Sequence, residues 1–213
     1  MEMDTYKQTF KAWDLVAERY MKKFMDMDMY NRSYDFFCDL IPGKGAKIFE
    51  IGCGPGNITR YLGSKRPDFQ IEAIDVAPNM VKLAASLNPM ADFSVVDCRD
   101  LKNITGLFDG IMIGFCMPYL SKEDCLKLIH DCSRLSLKSG ALYISFLEAE
   151  SYYRQFETSG TEQEGMYVHY HEAAYLIDAL LSNGFEVREQ ERKFVMKQDG
   201  TNTIQTIIIS RKA

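Results

Sequence analysis

Residues 47–57 have the sequence Lys47-Ile48-Phe49-Glu50-Ile51-Gly52-Cys53-Gly54-Pro55-Gly56-Asn57. The apolar run 48–51 predicts a short buried strand, and a helix is expected to begin near Asn57. Three glycines at alternate positions stand between them, and they permit backbone angles and a close approach to a ligand that side chains forbid. The start of the helix adds unpaired N–H groups and the positive end of a dipole. The segment therefore predicts a strand, a glycine turn and a helix that together hold a ligand.

A carboxylate further along the chain indicates that the ligand contains a nucleoside. Residues 70–75 predict a second strand that ends in Asp75, nineteen residues after Gly56. In doubly wound folds, an acid at about this spacing accepts hydrogen bonds from ribose hydroxyls. Dinucleotides and S-adenosylmethionine are both held in this way. The dinucleotide fingerprint G-x-G-x-x-G would place Gly or Ala at position 57, whereas this chain has Asn57 and the spacing G-x-G-x-G.

The segment from Glu50 to Gly56 resembles the first motif of the class I S-adenosylmethionine-dependent methyltransferases, and Asp75 accompanies it as in that family. The resemblance extends from about Tyr20 to the C-terminus and is strongest to small-molecule enzymes of the menaquinone and ubiquinone biosynthesis type. It implies S-adenosyl-L-methionine as the cofactor and methyl transfer to a small acceptor by in-line displacement. Two alternatives stay open: an NAD(P)-dependent oxidoreductase on a similar sheet, and a protein that binds S-adenosylmethionine without turnover.

The composition limits the partners and the compartment. The chain has 213 residues, with 25 Lys+Arg and 30 Asp+Glu, and shows no basic stripe interleaved with aromatic residues, so nucleic acid is not expected as a partner. No apolar run is long enough to span a membrane and no signal peptide is evident, so a cytoplasmic location is expected. The six cysteines lack CxxC spacing, and we predict reduced thiols and no metal site.

The order of the predicted elements indicates an α/β fold in one domain. The periodicity predicts two amphipathic helices, at about 5–26 and 30–40. The resemblance implies that they form an N-terminal helical cap (residues 1–42) before a Rossmann-like core (residues 43–213). Strands then alternate with helices, which predicts right-handed crossovers and a doubly wound parallel sheet. The predicted strands lie at about 46–51, 70–75, 92–96, 108–114 and 141–147, and the helices at about 57–64, 78–87, 122–137 and 171–182.

The end of the chain changes pattern. Residues 185–195 and 203–210 are β-rich and are joined through Asp199-Gly200, which predicts a hairpin. The resemblance implies a seven-stranded sheet of order 3-2-1-4-5-7-6 with strand 7 antiparallel. The hairpin and the N-terminal helices each offer a surface for a homodimer, and nothing in the sequence chooses between them.

Ligands of open α/β sheets bind beyond the carboxyl ends of the strands, where the strand order reverses. By resemblance, the glycine loop contacts the methionine part of the cofactor, Asp75 binds the ribose, and Asp97 with Cys98 contacts the adenine. Tyr20 is either an aromatic that closes over the cofactor or a core residue. Met80 either lies near the adenine or is a core residue. The predicted cofactor-binding residues are Tyr20, Glu50, Gly52, Cys53, Gly54, Gly56, Asp75, Val76, Met80, Asp97, Cys98 and Phe115.

The acceptor is expected beyond strand four, where the chain reads Cys116-Met117-Pro118-Tyr119. The Asn/Asp-Pro-Pro-aromatic motif of DNA amino-methylating enzymes is absent, which argues against a nucleic-acid base as acceptor. Residues 148–171 are long for a connection and rich in aromatics, as in a functional lid. We predict an acceptor pocket formed by Met117, Tyr119, Tyr152, Tyr153, Tyr167 and Tyr170. His169 and His171 are candidates for a general base, should the acceptor have to lose a proton.

Overall fold

The computed structural model describes residues 5–158, 165–196, 200 and 202–213. The helices are α1 (Thr5–Phe24), α2 (Asn31–Asp39), α3 (Asn57–Lys65), α4 (Pro78–Leu87), α5 (Lys122–Leu135) and α6 (Ala173–Ser182). The strands are β1 (Lys47–Ile51), β2 (Gln70–Asp75), β3 (Asp92–Val95), β4 (Phe108–Ile113), β5 (Ser136–Glu148), β6 (Tyr153–Glu157), β7 (Met166–His171), β8 (Phe185–Met196) and β9 (Asn202–Lys212). A 3₁₀ turn (Met117–Tyr119) follows β4.

The first five strands form a parallel sheet in the order β3-β2-β1-β4-β5. In β1, Phe49 is paired with Glu72 of β2 on one side and with Ile111 of β4 on the other. Residues 48–51 of β1 are all buried, as expected for a parallel strand that helices cover on both faces. The strand order reverses beside β1, so the carboxyl end of β1 lies at the crevice where this class of sheet binds ligands.

The C-terminal hairpin completes the sheet. Strand β9 runs antiparallel to β5 over eight residue pairs, and β8 pairs antiparallel with β9. The predicted seven-strand order, with the last strand inserted antiparallel beside strand five, is therefore confirmed. Asp199 of the predicted turn lies outside the described residues.

A further hairpin, β6–β7, lies within the segment 148–171, which we predicted as a long connection. Strand β7 pairs in parallel with the last two residues of β5, Leu147 and Glu148. Strand β4 pairs with β5 only as far as Ile144, so the end of β5 offers unpaired backbone groups that β7 satisfies. The following helix consequently begins at Ala173, two residues later than predicted.

The helices cover both faces of the sheet. On one face α5 and α6 pack Leu128 and Leu176 against the strands, and on the other α2 and α3 pack Phe37 and Leu62. In α5, for example, the buried residues recur at helical spacing and form one stripe: Cys125, Leu128, Ile129, Cys132 and Leu135. Ser121 caps the start of α5, because its side chain accepts a hydrogen bond from the Asp124 N–H at 3.1 Å.

Helix α1 is attached differently from the others. It contacts α4 and β7, and its own buried residues are small, among them Ala12 and Ala17. Its aromatic side chains Trp13 and Tyr20 pack on a minor apolar cluster with Met80. No helix in the described ranges combines the length and the apolar composition that a membrane span needs. The division into a cap and a core within one domain stays a prediction.

Candidate functional site

The glycine loop after β1 is held against the end of β2. The backbone N–H groups of Gly52 and Cys53 both donate to the Ile74 carbonyl, at 2.8 and 3.0 Å. The N–H of Gly56 donates to the Cys53 carbonyl at 3.0 Å and closes the turn that leads into α3. The loop therefore has its own hydrogen bonds and a fixed shape before any ligand is present.

Two glycines of this loop have backbone angles that residues with side chains rarely adopt. Gly52 has φ +72°, and a Cβ there would lie 2.7 Å from Cβ of Cys116. Gly56 has φ +84°, and a Cβ there would lie 2.4 Å from Nδ2 of Asn88. A side chain at either position would meet both backbone strain and a steric clash, so the glycines keep the loop tight against its neighbours.

Asp75 joins the loop to the end of β2. Its Oδ2 accepts from the Gly54 N–H and its Oδ1 from the Ala77 N–H, both at 2.9 Å. Burial raises the pKa of this carboxyl, and the backbone donors of Ala77 and Gly54 partly offset that effect. A carboxylate offers about four acceptor positions, so Asp75 retains lone pairs for hydroxyl groups of a ligand.

Glu50 lies at the end of β1 and is almost fully buried. Its Oε2 accepts from the Thr59 hydroxyl at 2.6 Å, while its Oε1 has no hydrogen-bond partner among the described residues. Burial raises the pKa of Glu50 to about 8, against the opposing hydrogen bond from Thr59. The carboxyl does not line the cavity described next, so its contact is with the α3 side of the loop.

One cavity of about 810 Å³ opens at the carboxyl ends of the parallel strands, beneath α1. That volume falls in the range typical of clefts that bury a small organic ligand. Of the twelve predicted cofactor-binding residues, all line it except Glu50 and Gly56. The ten that do are Tyr20, Gly52, Cys53, Gly54, Asp75, Val76, Met80, Asp97, Cys98 and Phe115. Their role in binding stays a prediction.

The predicted adenine end of the cavity lies after β3. The Asp97 carboxylate is paired with Arg99, whose Nη2 lies 2.6 Å from Oδ2, and the Arg99 guanidinium stacks 3.8 Å above the Tyr6 ring. Sγ of Cys98 lies 3.8 Å from Sγ of Cys116, beside Gly52. Asp97 is thus oriented by a cation before it meets a ligand.

Only some of the residues predicted to form the acceptor pocket line the cavity. Tyr119 lines the cavity, and its ring meets Trp13 edge to face with centroids 4.9 Å apart. Met117 is fully buried in the core, and its carbonyl accepts from Nε2 of His171 at 3.0 Å. The tyrosines predicted from the segment 148–171 do not line the cavity; these are Tyr152, Tyr153, Tyr167 and Tyr170.

The two candidate bases also lie off the cavity wall. His171 is fully buried between the Met117 carbonyl and the Tyr175 hydroxyl, and Nδ1 of His169 lies 2.8 Å from the Tyr152 hydroxyl. Burial lowers the pKa of each imidazole to about 4. These contacts join both histidines to neighbouring groups of the protein, and their role as general bases stays a prediction.

Several residues that line the cavity were not predicted to do so. Glu157 and Thr158 come from the end of β6, and Thr203 and Gln205 come from β9. Aromatic side chains of α1, of α2 and of Tyr30 directly before α2 also line the cavity: Phe10, Trp13, Phe24, Tyr30 and Tyr34. The strand residues left no signal in the sequence, because their position depends on which strands become neighbours.

Two residues that line the cavity each have a buried polar atom with which a ligand could pair. Nε1 of Trp13 and Oγ1 of Thr203 have no hydrogen-bond partner within the described part of the chain, although both residues line the cavity. Buried polar atoms are normally paired, and a polar ligand would supply partners. In the same ranges, no group of three or more His, Cys, Asp or Glu residues is arranged to hold a metal ion.

Comparison with known proteins shows that the chain is similar to methyltransferases. Residues 48–140 match the family model described as a methyltransferase domain. The demethylmenaquinone methyltransferase of Thermotoga maritima is 25% identical over 150 residues, covering 66% of this chain and 62% of that protein. The ubiquinone biosynthesis O-methyltransferase of Xanthomonas oryzae is 33% identical over 109 residues, covering 48% and 44%. The chain thus matches less than two thirds of the length of either relative.

Solved structures share the fold at low sequence identity. A 1,6-didemethyltoxoflavin N1-methyltransferase from Burkholderia thailandensis, solved with its acceptor and S-adenosylhomocysteine bound, superimposes with a TM-score of 0.71 at 15% identity. The match covers 97% of this chain and 88% of that one. An S-adenosylmethionine-dependent methyltransferase from Methanosarcina mazei has a TM-score of 0.69 at 18% identity, covering 87% and 99%. The motif around Gly52, the strand order and the match over residues 48–140 together support a class I S-adenosylmethionine-dependent methyltransferase.

Proposed function

We propose that this chain transfers a methyl group from S-adenosylmethionine to a small-molecule acceptor. The observation that carries the proposal is the cavity onto which the glycine loop, Asp75 and the aromatic face of α1 all open. The loop offers a preformed backbone cradle, Asp75 offers acceptors for ribose hydroxyls, and Asp97 with Cys98 offers polar groups for an adenine.

The chemistry requires little from the protein beyond orientation. The cofactor supplies a sulfonium methyl group that is already activated, so the chain needs no covalent nucleophile. The Gly52 loop would fix the donor end, while Tyr119 and Trp13 would confine the acceptor and exclude water. Orientation of this kind can lower a barrier by about 7–11 kcal/mol.

The volume and aromatic lining of the cavity and the names of similar proteins support a small acceptor. Helix α1 lines the cavity with aromatic side chains that would contact an acceptor of limited size. Proteins similar to this chain are named as a ubiquinone biosynthesis O-methyltransferase and a 1,6-didemethyltoxoflavin N1-methyltransferase. Ubiquinone and didemethyltoxoflavin are small molecules. No residue described above distinguishes O-, C- or N-methylation by itself.

The first test is a thermal melt with S-adenosylmethionine, S-adenosylhomocysteine, NAD and NADP in parallel. A ligand at a hundred times its dissociation constant stabilises by about 2.7 kcal/mol. For a chain of this size, that corresponds to a rise in Tm of roughly 5–10 °C. We expect the rise with both sulfur nucleosides and none with the dinucleotides. A rise with NAD or NADP alone would favour the oxidoreductase alternative.

Asp75→Asn provides the matched variant, with the exposed Asp178→Asn on α6 as its control. We expect Asp75→Asn to lose most of the ligand-induced rise, because an amide cannot accept from Gly54, Ala77 and two ribose hydroxyls together. Asp178→Asn should retain it. Cofactor binding without methyl transfer across a broad panel of phenols, amines and carboxylates would favour the non-catalytic alternative.

A further inference from the structure

Two of the six cysteines differ from the others in their position. Cys98 and Cys116 are half-buried, whereas the other four are buried. Both line the cavity, and their Sγ atoms lie 3.8 Å apart. The sulfur atoms of a disulfide are separated by about 2 Å, so this pair is less than about 2 Å from the distance of a covalent bond.

The pair joins two loops that follow different strands. Cys98 comes after β3 and Cys116 comes after β4, and the sheet places β2 and β1 between these strands. The two side chains therefore meet above the carboxyl end of β1, at the crevice where this class of sheet binds ligands. Cys116 also packs on the glycine loop, because a Cβ at Gly52 would lie 2.9 Å from its Sγ.

The backbone around each cysteine has a defined turn. On the β4 side, Phe115 has φ +55°, an angle that residues with side chains rarely adopt, and its N–H donates to Oγ of Ser145 at 2.7 Å. On the β3 side, the Asp100 N–H donates to the Asp97 carbonyl at 2.9 Å and closes a turn that contains Cys98. The two loops thus hold the thiols side by side before any ligand binds.

We propose that Cys98 and Cys116 form a reversible disulfide when the protein meets hydrogen peroxide, and that this cross-link prevents cofactor binding. The bond draws the loops after β3 and β4 together across Gly52, in the space that a nucleoside ligand needs. Formation of the disulfide is independent of the proposed methyltransferase function, whereas its consequence for activity rests on that function.

The surroundings of the two thiols give them different parts in the oxidation. The hydrogen bond with Cys98 raises the pKa of the Cys116 thiol well above its ordinary value, and desolvation adds to the effect. The thiolate is the form that attacks an oxidant. Cys98 is therefore the sulfur that peroxide oxidises first, and Cys116 is the neighbour that completes the disulfide.

The oxidation balances with hydrogen peroxide as the one co-reactant. The Cys98 thiolate attacks a peroxide oxygen, the O–O bond breaks, and a sulfenic acid forms while the second oxygen takes up a proton and leaves as water. The Cys116 sulfur then attacks the Cys98 sulfur, the S–O bond breaks, and the hydroxyl leaves as water with the Cys116 proton. The two sulfurs supply the two electrons that reduce the peroxide. A dithiol reductant restores both thiols by exchange.

The test combines mass spectrometry with calorimetry on the full chain. After peroxide treatment, free thiols are alkylated and the protein is digested with trypsin without reduction; Arg99 and Lys102 place the two cysteines on separate peptides. We expect a linked pair of peptides that contains Cys98 and Cys116 and that separates on reduction. The oxidised protein should bind S-adenosylhomocysteine at least about tenfold more weakly, and dithiothreitol should restore the affinity.

Three cysteine variants make the test specific, each compared with its own reduced form. Cys98→Ser and Cys116→Ser should form no such cross-link, so peroxide should leave their affinity for S-adenosylhomocysteine unchanged. Either variant suffices if the other does not fold. Cys38→Ser is the control, since Cys38 is buried in the apolar core. It should keep both the cross-link and the loss of affinity. Saturation of the wild type with S-adenosylhomocysteine before oxidation should slow cross-linking.

Three outcomes would overturn the inference. They are the absence of the Cys98–Cys116 cross-link in oxidised wild type, a cross-link that leaves the affinity for S-adenosylhomocysteine unchanged, and a loss of affinity that persists in both Cys98→Ser and Cys116→Ser. The reduced wild type separates these failures from that of the proposed function. If the reduced protein binds no S-adenosylhomocysteine, the proposed function fails, while the peptide masses still report whether the disulfide forms.

Discussion

At the scale of single residues, the site depends on one steric and one electrostatic requirement. Gly52 has to be glycine because its φ is positive and Cys116 occupies the space of a side chain. Glu50 places an ionisable group in the core with one oxygen unpaired among the described residues. Each requirement predicts a measurable effect on stability, because each concerns a free-energy cost that the folded chain carries and the unfolded chain does not.

Gly52→Ala should destabilise the protein. A residue with a side chain held at positive φ costs about 1–3 kcal/mol, and the contact with Cys116 adds to it. Gly63→Ala is the control, since Gly63 lies within α3 and a Cβ there meets nothing within 4 Å. That change should stabilise by about 0.5–1 kcal/mol. Chemical denaturation measures both, and equal effects of the two variants would contradict this explanation.

Glu50 should make the apo protein less stable as the pH rises. Its pKa is about 8 in the folded state against an ordinary value of 4.5, so the folded state binds more protons between these values and unfolding becomes easier with increasing pH. The slope approaches about 1.4 kcal/mol per pH unit. His169 and His171, with lowered pKa values of about 4, act in the opposite sense below pH 6.5. The informative window is therefore pH 6.5–8.

Denaturation curves of wild type and Glu50→Gln across that window provide the measurement. The wild type should lose stability relative to the variant as the pH rises, because glutamine has no charge to desolvate. Glu150→Gln, at an exposed position, should follow the wild type. Parallel curves for wild type and Glu50→Gln would contradict the raised pKa.

At the scale of elements, α1 is the part that a ligand should affect most. It covers the cavity but buries mainly small residues of its own. The Tyr6 hydroxyl accepts from the Ser121 N–H at 2.8 Å and donates to Asp124, which joins α1 to the start of α5. Helix α1 is thus held by a few polar contacts and by aromatic contacts around the cavity.

The position of Trp13 makes this testable without a label. It is the one tryptophan of the chain and lines the cavity with a buried Nε1 that has no partner among the described residues. Saturating S-adenosylhomocysteine should shift or quench tryptophan emission with the same dissociation constant that calorimetry gives. Trp13→Phe should abolish the signal while calorimetric binding weakens by less than about tenfold. Unchanged emission at calorimetric saturation would show that α1 does not sense the ligand.

The element that the sequence analysis did not predict is the β6–β7 hairpin. Its aromatic residues, such as Tyr153 and Tyr170, predicted a lid, whereas they stack on each other and support Glu157. The pairing of β7 with the end of β5 arises because β5 extends past β4. That extension is a property of the assembled sheet, and local patterns do not encode it.

At the scale of the whole molecule, the two N-terminal helices should differ in importance. Helix α2 inserts Phe37 and Tyr34 into the large core cluster that contains β1 and β9 residues, whereas α1 contributes Ala17 to a small cluster. Removing residues 1–24 should therefore leave a folded protein with weakened cofactor binding. Removing residues 1–42 should prevent folding, since deleting one large buried aromatic side chain alone costs about 3–5 kcal/mol.

Circular dichroism and thermal melts of the two truncated chains, with and without S-adenosylhomocysteine, measure this difference. The shorter deletion should keep a single cooperative transition, and the longer one should lose it. Cooperative unfolding of residues 43–213 alone would contradict the inclusion of α2 in the core. It would instead support a core that folds independently of both helices.

The sequence by itself determined the glycine cradle, the acid at Asp75, the alternation of strands and helices and the C-terminal hairpin, because these depend on local backbone requirements and on periodicity within one element. The tertiary structure alone decided which side chains share the cavity. Trp13, Glu157 and Thr203 meet there from α1, β6 and β9, and His171 turns away into the core. Whether such side chains come together depends on the pairing of elements far apart in the chain, which only the packed sheet and its helices establish.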